Sequence, residues 1–342
     1  DSLSLTKNQQ YTWLKTIIQN DTDNPTYFDF DIWFADSITV VAVDGDSVKT
    51  YESGAYTKLI NWDFYEDPQI LPIYCEVGHT KTLYFRLWSA PGRTLSIHDI
   101  YIQTREESLT ETLSSYRLFI GQMEFNGFFL GAVTFAMIFF IFIFIKVNET
   151  IFLLYALYLL GACLYAILVK TLPYSYIARI SYIDYPLSYK LGEPIQYLFF
   201  AAYIAFGKRL LDVDHHYGFL NKWLQYFMYI LLAGGITLLL YNLFQLDFLL
   251  QKKAFIVSRA IILPFSIVGL IWIGISVNSP VKWFFLAGSS SFIIGGLFAI
   301  IVDPKTNQFF WGDLGVNPIV SFKTGILLES ICFALALGIK SG

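Results

Sequence analysis

The 342-residue sequence predicts a β + α membrane protein: an N-terminal β-sandwich or jelly roll followed by a seven-helix transmembrane bundle. Composition is the first observation behind this. The chain is 55% hydrophobic and 15% charged, whereas a soluble globular chain has about 45–50% apolar and about 25% charged residues. The second is that the excess is uneven, because the sequence is polar and mixed up to about Tyr116 and then turns into long apolar runs. The third is a change of period, from short β-branched and aromatic runs to segments able to cross ~30 Å of hydrocarbon. The expected division is a β domain over 1–105, a linker over 106–120 and a membrane domain over 121–342.

In the β domain, "TWLKTIIQN", "YFDFDIWFA", "SITVVAV", "SVKTYES", "ILPIYCEV", "TLYFRLWS" and "LSIHDIYIQT" read as strands, and "YFDFDIWF" alternates as a half-buried strand should. Asp44-Gly45 between two such runs marks a hairpin in which Gly supplies a positive φ. Asn24-Pro25, Asp67-Pro68 and Pro91-Gly92 mark further breaks. Trp13, Trp33 and Trp88 lie inside strand patterns and are expected in the core. The polar-aromatic stretch "NWDFYED" is different. Loops at a sandwich end carry binding residues, so Asn61, Trp62 and Asp63, with Arg93 in a later turn, are the candidate ligand contacts. Arg86 is expected to pair on the polar face of its strand.

Seven spans are expected, near Met123–Ile145, Thr150–Val169, Gly192–Leu211, Leu220–Tyr241, Phe255–Val277, Trp283–Val302 and Pro318–Ile339. The third is the weakest pattern, opened by Gly192-Glu-Pro194 and closed by Lys208-Arg209. Odd parity puts the two termini on opposite sides. Lys and Arg fall on both sets of connections, so their count does not decide orientation. The chain opens on Asp1 with no signal peptide, and the expectation is that one was cleaved from an exported domain. Gly127-xxx-Gly131 and Ser291-xxx-Gly295 offer close helix approach, either within the chain or in a homodimer.

Several chemistries find no footing. All four histidines, His79, His98, His215 and His216, lie outside the spans, which removes a buried Ser–His dyad. "DVDHHYG" reads as a solvated loop rather than a metal site, and "GSSSF" lacks the spacing of a nucleophile elbow. Net charge is −4 with no basic tract, which argues against nucleic acid. No cofactor, metal or enzyme activity is expected. One residue stands out instead. Glu329 lies in the middle of the last span, where a carboxylate costs ~2.5–3.5 kcal/mol on insertion scales. It either hydrogen-bonds a Ser, Tyr or Asn of a neighbouring helix, belongs to a polar switch between two packings, or takes part in ion translocation. Gly325 is one turn away, and Lys323 could snorkel to an interface. Arg259 and Glu193 are expected at helix mouths, lining a vestibule.

Four stretches together carry a resemblance. "TWLKTIIQN" with "ESG" and "TLYFRLWS" in the β domain is one, and "GFFLGAVTFAMIFFIFIFI" with "ETIFLLYALYLLGACLYAI" is the next. "YLFFAAYIAFGKRLLDVDHHYGFL" and "FKTGILLESICFALALGIK" complete it. The chain resembles the bacterial seven-transmembrane receptors with diverse intracellular signalling modules, in the branch with a jelly-roll, carbohydrate-module-like extracellular domain. That resemblance implies a multi-pass protein of a bacterial inner membrane, N-terminus periplasmic and C-terminus cytoplasmic. It implies a periplasmic glycan, small molecule or protein as ligand and a cytoplasmic effector module or partner as recipient. In the family the last helix ends in Ala-x-Arg and leads into that module, whereas here it ends Gly338-Ile-Lys340, so the module is expected beyond these residues. The segment "GAYTKLINWDFYEDP" lacks an Arg common in the family, which points to different binding chemistry. Two rivals remain at this level: a transporter or channel with a substrate-capturing lid, and an accessory subunit of a membrane complex.

Overall fold

The computed structural model describes residues 11–32, 35–54, 70–89, 100–169, 185–244, 248–302 and 318–341. The chain divides into two compact units, one holding the strands and the other most of the helical residues. Seven strands lie where the alternating runs place them: β1 Tyr11–Gln19, β2 Thr26–Ile32, β3 Ser37–Asp44, β4 Ser47–Ser53, β5 Ile70–Cys75, β6 Thr80–Trp88 and β7 Ile100–Thr104. Among the described residues they form two antiparallel sheets, ordered β1-β6-β3-β4 and β5-β2-β7. Their inner faces share one core, in which Ile38, Val40, Leu83, Phe85 and Leu87 meet Phe30, Ile32, Leu71 and Ile73. The Phe30 and Phe85 rings bridge the sheets at 5.1 Å between centroids. This is a β-sandwich.

Two glycines fix its turns. Gly45 takes φ 57° in the two-residue loop between β3 and β4, where Asp44 pairs with Ser47. Gly54 takes φ 106°, and a Cβ there would stand 2.8 Å from the Asp36 carbonyl oxygen, so both conformation and space require glycine. Asn20 is fully buried and clamps the β1–β2 turn. Its Nδ2 donates to the Asn24 and Cys75 carbonyls at 2.9 and 3.0 Å, and its Oδ1 accepts from Thr22.

Trp13 corrects the sequence reading, because it is 64% exposed instead of buried. On β1 the apolar residues fall on both faces, Leu14 and Ile18 on one and Trp13 and Ile17 on the other, so alternation alone does not choose between them. The structure buries Thr12 and Ile18 and turns Trp13 outward. Trp88 is half-buried, and Trp33 lies outside the described residues.

Among the described residues seven long helices follow: α1 Arg105–Val147, α2 Thr150–Val169, α3 Tyr185–Leu210, α4 Gly218–Phe244, α5 Phe248–Ser276, α6 Lys282–Val302 and α7 Pro318–Ser341. The stretch 106–120 is thus the start of a helix. It opens with a capping box: Thr104 N–H and Oγ1 both donate to Glu107 Oε2 at 2.9 Å, and Glu107 N–H returns to Thr104 Oγ1 at 3.4 Å. Arg105 joins the buried Asp29 of β2 through Nη1 at 3.0 and 3.1 Å.

By length and composition six of these helices can cross a membrane, and α3 is the one left out. Its burial gives the reason. Between residues 190 and 210 only Arg209 is exposed, so α3 faces protein almost all round and does not need lipid-compatible side chains. It also begins at Tyr185, before the expected Gly192, and carries Pro194 inside it.

α6 and α7 approach closely, and small residues allow it. A Cβ on Gly325 would lie 2.8 Å from the Ser291 carbonyl oxygen, and one on Gly295 would lie 2.6 Å from that of Ser321. Ser291-xxx-Gly295 therefore serves packing within the chain. At Gly127 and Gly131 an added Cβ would meet nothing within 4 Å.

Candidate functional site

Among the described residues a constellation stands out in each unit. In the sandwich, β6 pairs with β1 on one side and β3 on the other, so that Arg86 lies between Trp13 and Thr39, and Tyr84 between Lys15 and Val41. Side chains alternate between faces, so the outer face gathers Tyr11, Trp13, Lys15 and Ile17 of β1 with Tyr84 and Arg86 of β6. Arg86 is spread over the Tyr11 ring at 5.5 Å and donates from Nη2 to Thr39 Oγ1 at 3.2 Å. Lys15 stands 5.5 Å from the centre of the Tyr84 ring. Exposed rings flanked by cationic donors can stack one flat molecule and hydrogen-bond its edge. Asn61, Trp62, Asp63 and Arg93 lie outside the described residues.

In the helical unit the constellation centres on Glu329, fully buried in the middle of α7. The close α6–α7 approach at Gly325 and Gly288 fixes its height: a Cβ on Gly288 would lie 3.3 Å from the Glu329 carbonyl oxygen. Tyr158 of α2 donates its hydroxyl to Glu329 Oε2. Tyr203 of α3 neighbours the carboxyl group and donates to Ser289 Oγ of α6 at 2.6 Å. Tyr155 of α2 donates to the Ser330 carbonyl at 3.4 Å. Four helices thus meet at one acid. Around it pack aromatic rings, with Phe333 at 5.1 Å from Phe206, 5.5 Å from Phe285 and 5.9 Å from Tyr155.

The remaining polar residues tie helices together. Lys323 is buried and does not snorkel: its ammonium donates to Asn126 Oδ1 of α1 and stands 5.6 Å from the Phe129 ring centre. Arg259 of α5 reaches Glu193 Oε2 of α3 at 3.3 Å through Nη1 and Tyr165 Oη of α2 at 3.2 Å through Nη2. It also lies on the Phe255 ring. Glu193 and Arg259 therefore form an interhelical ion pair. At the other end of α7, Lys340 donates to the Arg209 and Leu210 carbonyls at 2.8 Å and to Asp212 Oδ2 at 2.7 Å. Those carbonyls are the unpaired end of α3, whose partial negative charge favours a cation.

α7 is therefore held at three heights: by α1 at Lys323, by α2 at Glu329 and by α3 at Lys340. Successive ties are about 9 and 16 Å apart along the helix at 1.5 Å per residue. The sequence singles out Lys323 and Glu329 on α7, but not Lys340, nor Tyr158, Tyr203, Asn126 and Asp212 as partners. A signal existed for the tyrosines: Tyr155, Tyr158 and Tyr165 recur at helical spacing in an otherwise apolar span. Among the described residues no group of three His, Cys, Asp or Glu side chains is placed to hold a metal ion.

Comparison with known proteins gives two family matches. The model described as 7TM diverse intracellular signalling matches residues 122–340, and that described as 7TMR-DISM extracellular 2 matches residues 1–100. None of the curated proteins compared matches the chain.

Proposed function

This chain belongs to the 7TM diverse intracellular signalling family, membrane sensory receptors with an extracellular domain and a seven-helix domain, and on that footing we propose a ligand and a route for its signal. The sandwich binds a glycan, or a small molecule offering a similar flat apolar face, on the outer side of the β1-β6-β3-β4 sheet. Trp13 is the carrying observation. A side chain of that size, 64% exposed between Lys15 and Arg86, is a surface for stacking with donors at its rim. The ligand reaches this face from the periplasm, and its binding shifts the packing of the helices. α7 passes the displacement to a cytoplasmic effector, and the chain itself binds and transmits without catalysing a reaction. A ligand need favour one packing by only a few kcal/mol to shift the population.

The test is a glycan array probed with the full chain in lipid nanodiscs. Binding that Trp13→Ala and Tyr84→Ala each weaken tenfold or more supports this face as the site. Binding left intact in both variants overturns the assignment.

A further inference from the structure

Glu329 is fully buried, yet only one of its carboxyl oxygens is served. Oε2 accepts from Tyr158, while Oε1 meets no hydrogen-bond partner among the described residues. An ionised carboxylate accepts at both oxygens and has nothing to donate, and a buried charge requires a counter-charge or several donors. The groups facing Glu329 are Tyr155 and Tyr158 from α2, Tyr203 from α3 with Ser289 of α6 behind it, and Cys332 on its own helix. None of them carries a positive charge. The single hydroxyl hydrogen of Tyr203 goes to Ser289, and that of Tyr155 goes to the Ser330 carbonyl. The nearest lysine along α7, Lys323, is held by Asn126, and Arg259 is held by Glu193 and Tyr165.

We propose that Glu329 is a proton-binding site and that in this packing of α7 the proton is bound on Oε1. The unserved acceptor then becomes a donor, and Tyr203 Oη, whose own hydrogen is committed to Ser289, accepts it. With that proton in place the donors run in one direction, from Tyr158 to Glu329 to Tyr203 to Ser289, and link α2, α7, α3 and α6. Release of the proton to water leaves a negative charge among aromatic rings and removes the tie from Glu329 to α3, leaving the one at Lys340. The bound proton and this packing therefore stabilise each other, and anything that moves α7 away also frees the proton. The consequence for signalling rests on the receptor reading, whereas the site itself does not.

Infrared spectroscopy of the full chain in lipid nanodiscs tests the site without ligand or output module. At neutral pH the spectrum should contain the C=O stretch of a protonated carboxylic acid that Glu329→Gln removes. Tyr203→Phe, which takes away the acceptor, should move the same band toward the frequency of a free acid carbonyl. Loss of carboxylate bands in Glu329→Gln at neutral pH, with no acid band lost, overturns the proposal. If Glu329→Gln does not assemble, Tyr203→Phe and Tyr158→Phe decide, and an acid region unchanged in both overturns it. A negative result leaves the receptor reading standing, which the glycan array tests separately.

Discussion

Single residues in this protein act through what surrounds them. Gly325 and Gly127 are both helical glycines in apolar segments, yet a Cβ at the first meets the Ser291 backbone at 2.8 Å and one at the second meets nothing. Gly325→Leu is therefore expected to destabilise the helical unit by about 1–3 kcal/mol through overpacking. Gly127→Ala should stay within about 0.5 kcal/mol of the parent. Thermal unfolding in nanodiscs measures both, and equal losses would show that α6–α7 approach is not the cause. In the sandwich, Lys81 at 3.2 Å, with His79 at 3.5 Å, holds the Asp44 carboxyl below its ordinary value. A lowered carboxyl contributes stability above its unfolded-state pKa and loses it as pH falls through the folded-state value. Amide exchange in the β3–β4 hairpin should thus accelerate on acidification below the usual carboxylate range, and Asp44→Asn should flatten that dependence. Glu107 follows the same sign, since the Thr104 N–H and hydroxyl that donate to it hold its carboxyl low.

At the scale of elements, the C-terminal turn of α7 depends on α3. Lys340 supplies three hydrogen bonds to the last carbonyls of α3 and to Asp212, a non-glycine residue at φ 51° that turns the chain just there. Removing that charge with Lys340→Met keeps the aliphatic stem. The expected loss is about 1–2 kcal/mol for a charge at a helix C-terminus. It should appear as faster amide exchange in the last turn of α7, with the turns around Glu329 unaffected. Uniform acceleration along α7 would contradict three separate ties.

For the whole molecule, the sequence was most informative where one rule governs one segment. The strands follow from alternation, Gly45 from hairpin chemistry and six spans from hydropathy. It was least informative where two rules compete or where partners are distant in sequence. β1 has apolar residues on both faces, so its pattern does not reveal that Trp13 points to solvent. α3 looks too polar for a span because it is wrapped by other helices. The acid in α7 was visible, but Tyr158 and Tyr203 are its partners only because the bundle brings together residues more than a hundred positions apart. Whether ligand on the sandwich moves α7 is measured with spin labels on the last turns of α3 and α7. The full chain in nanodiscs is compared with and without a glycan captured on the array. Ligand should change the distance distribution, and Trp13→Ala should abolish that change. Identical distributions with ligand bound and absent would contradict that expectation.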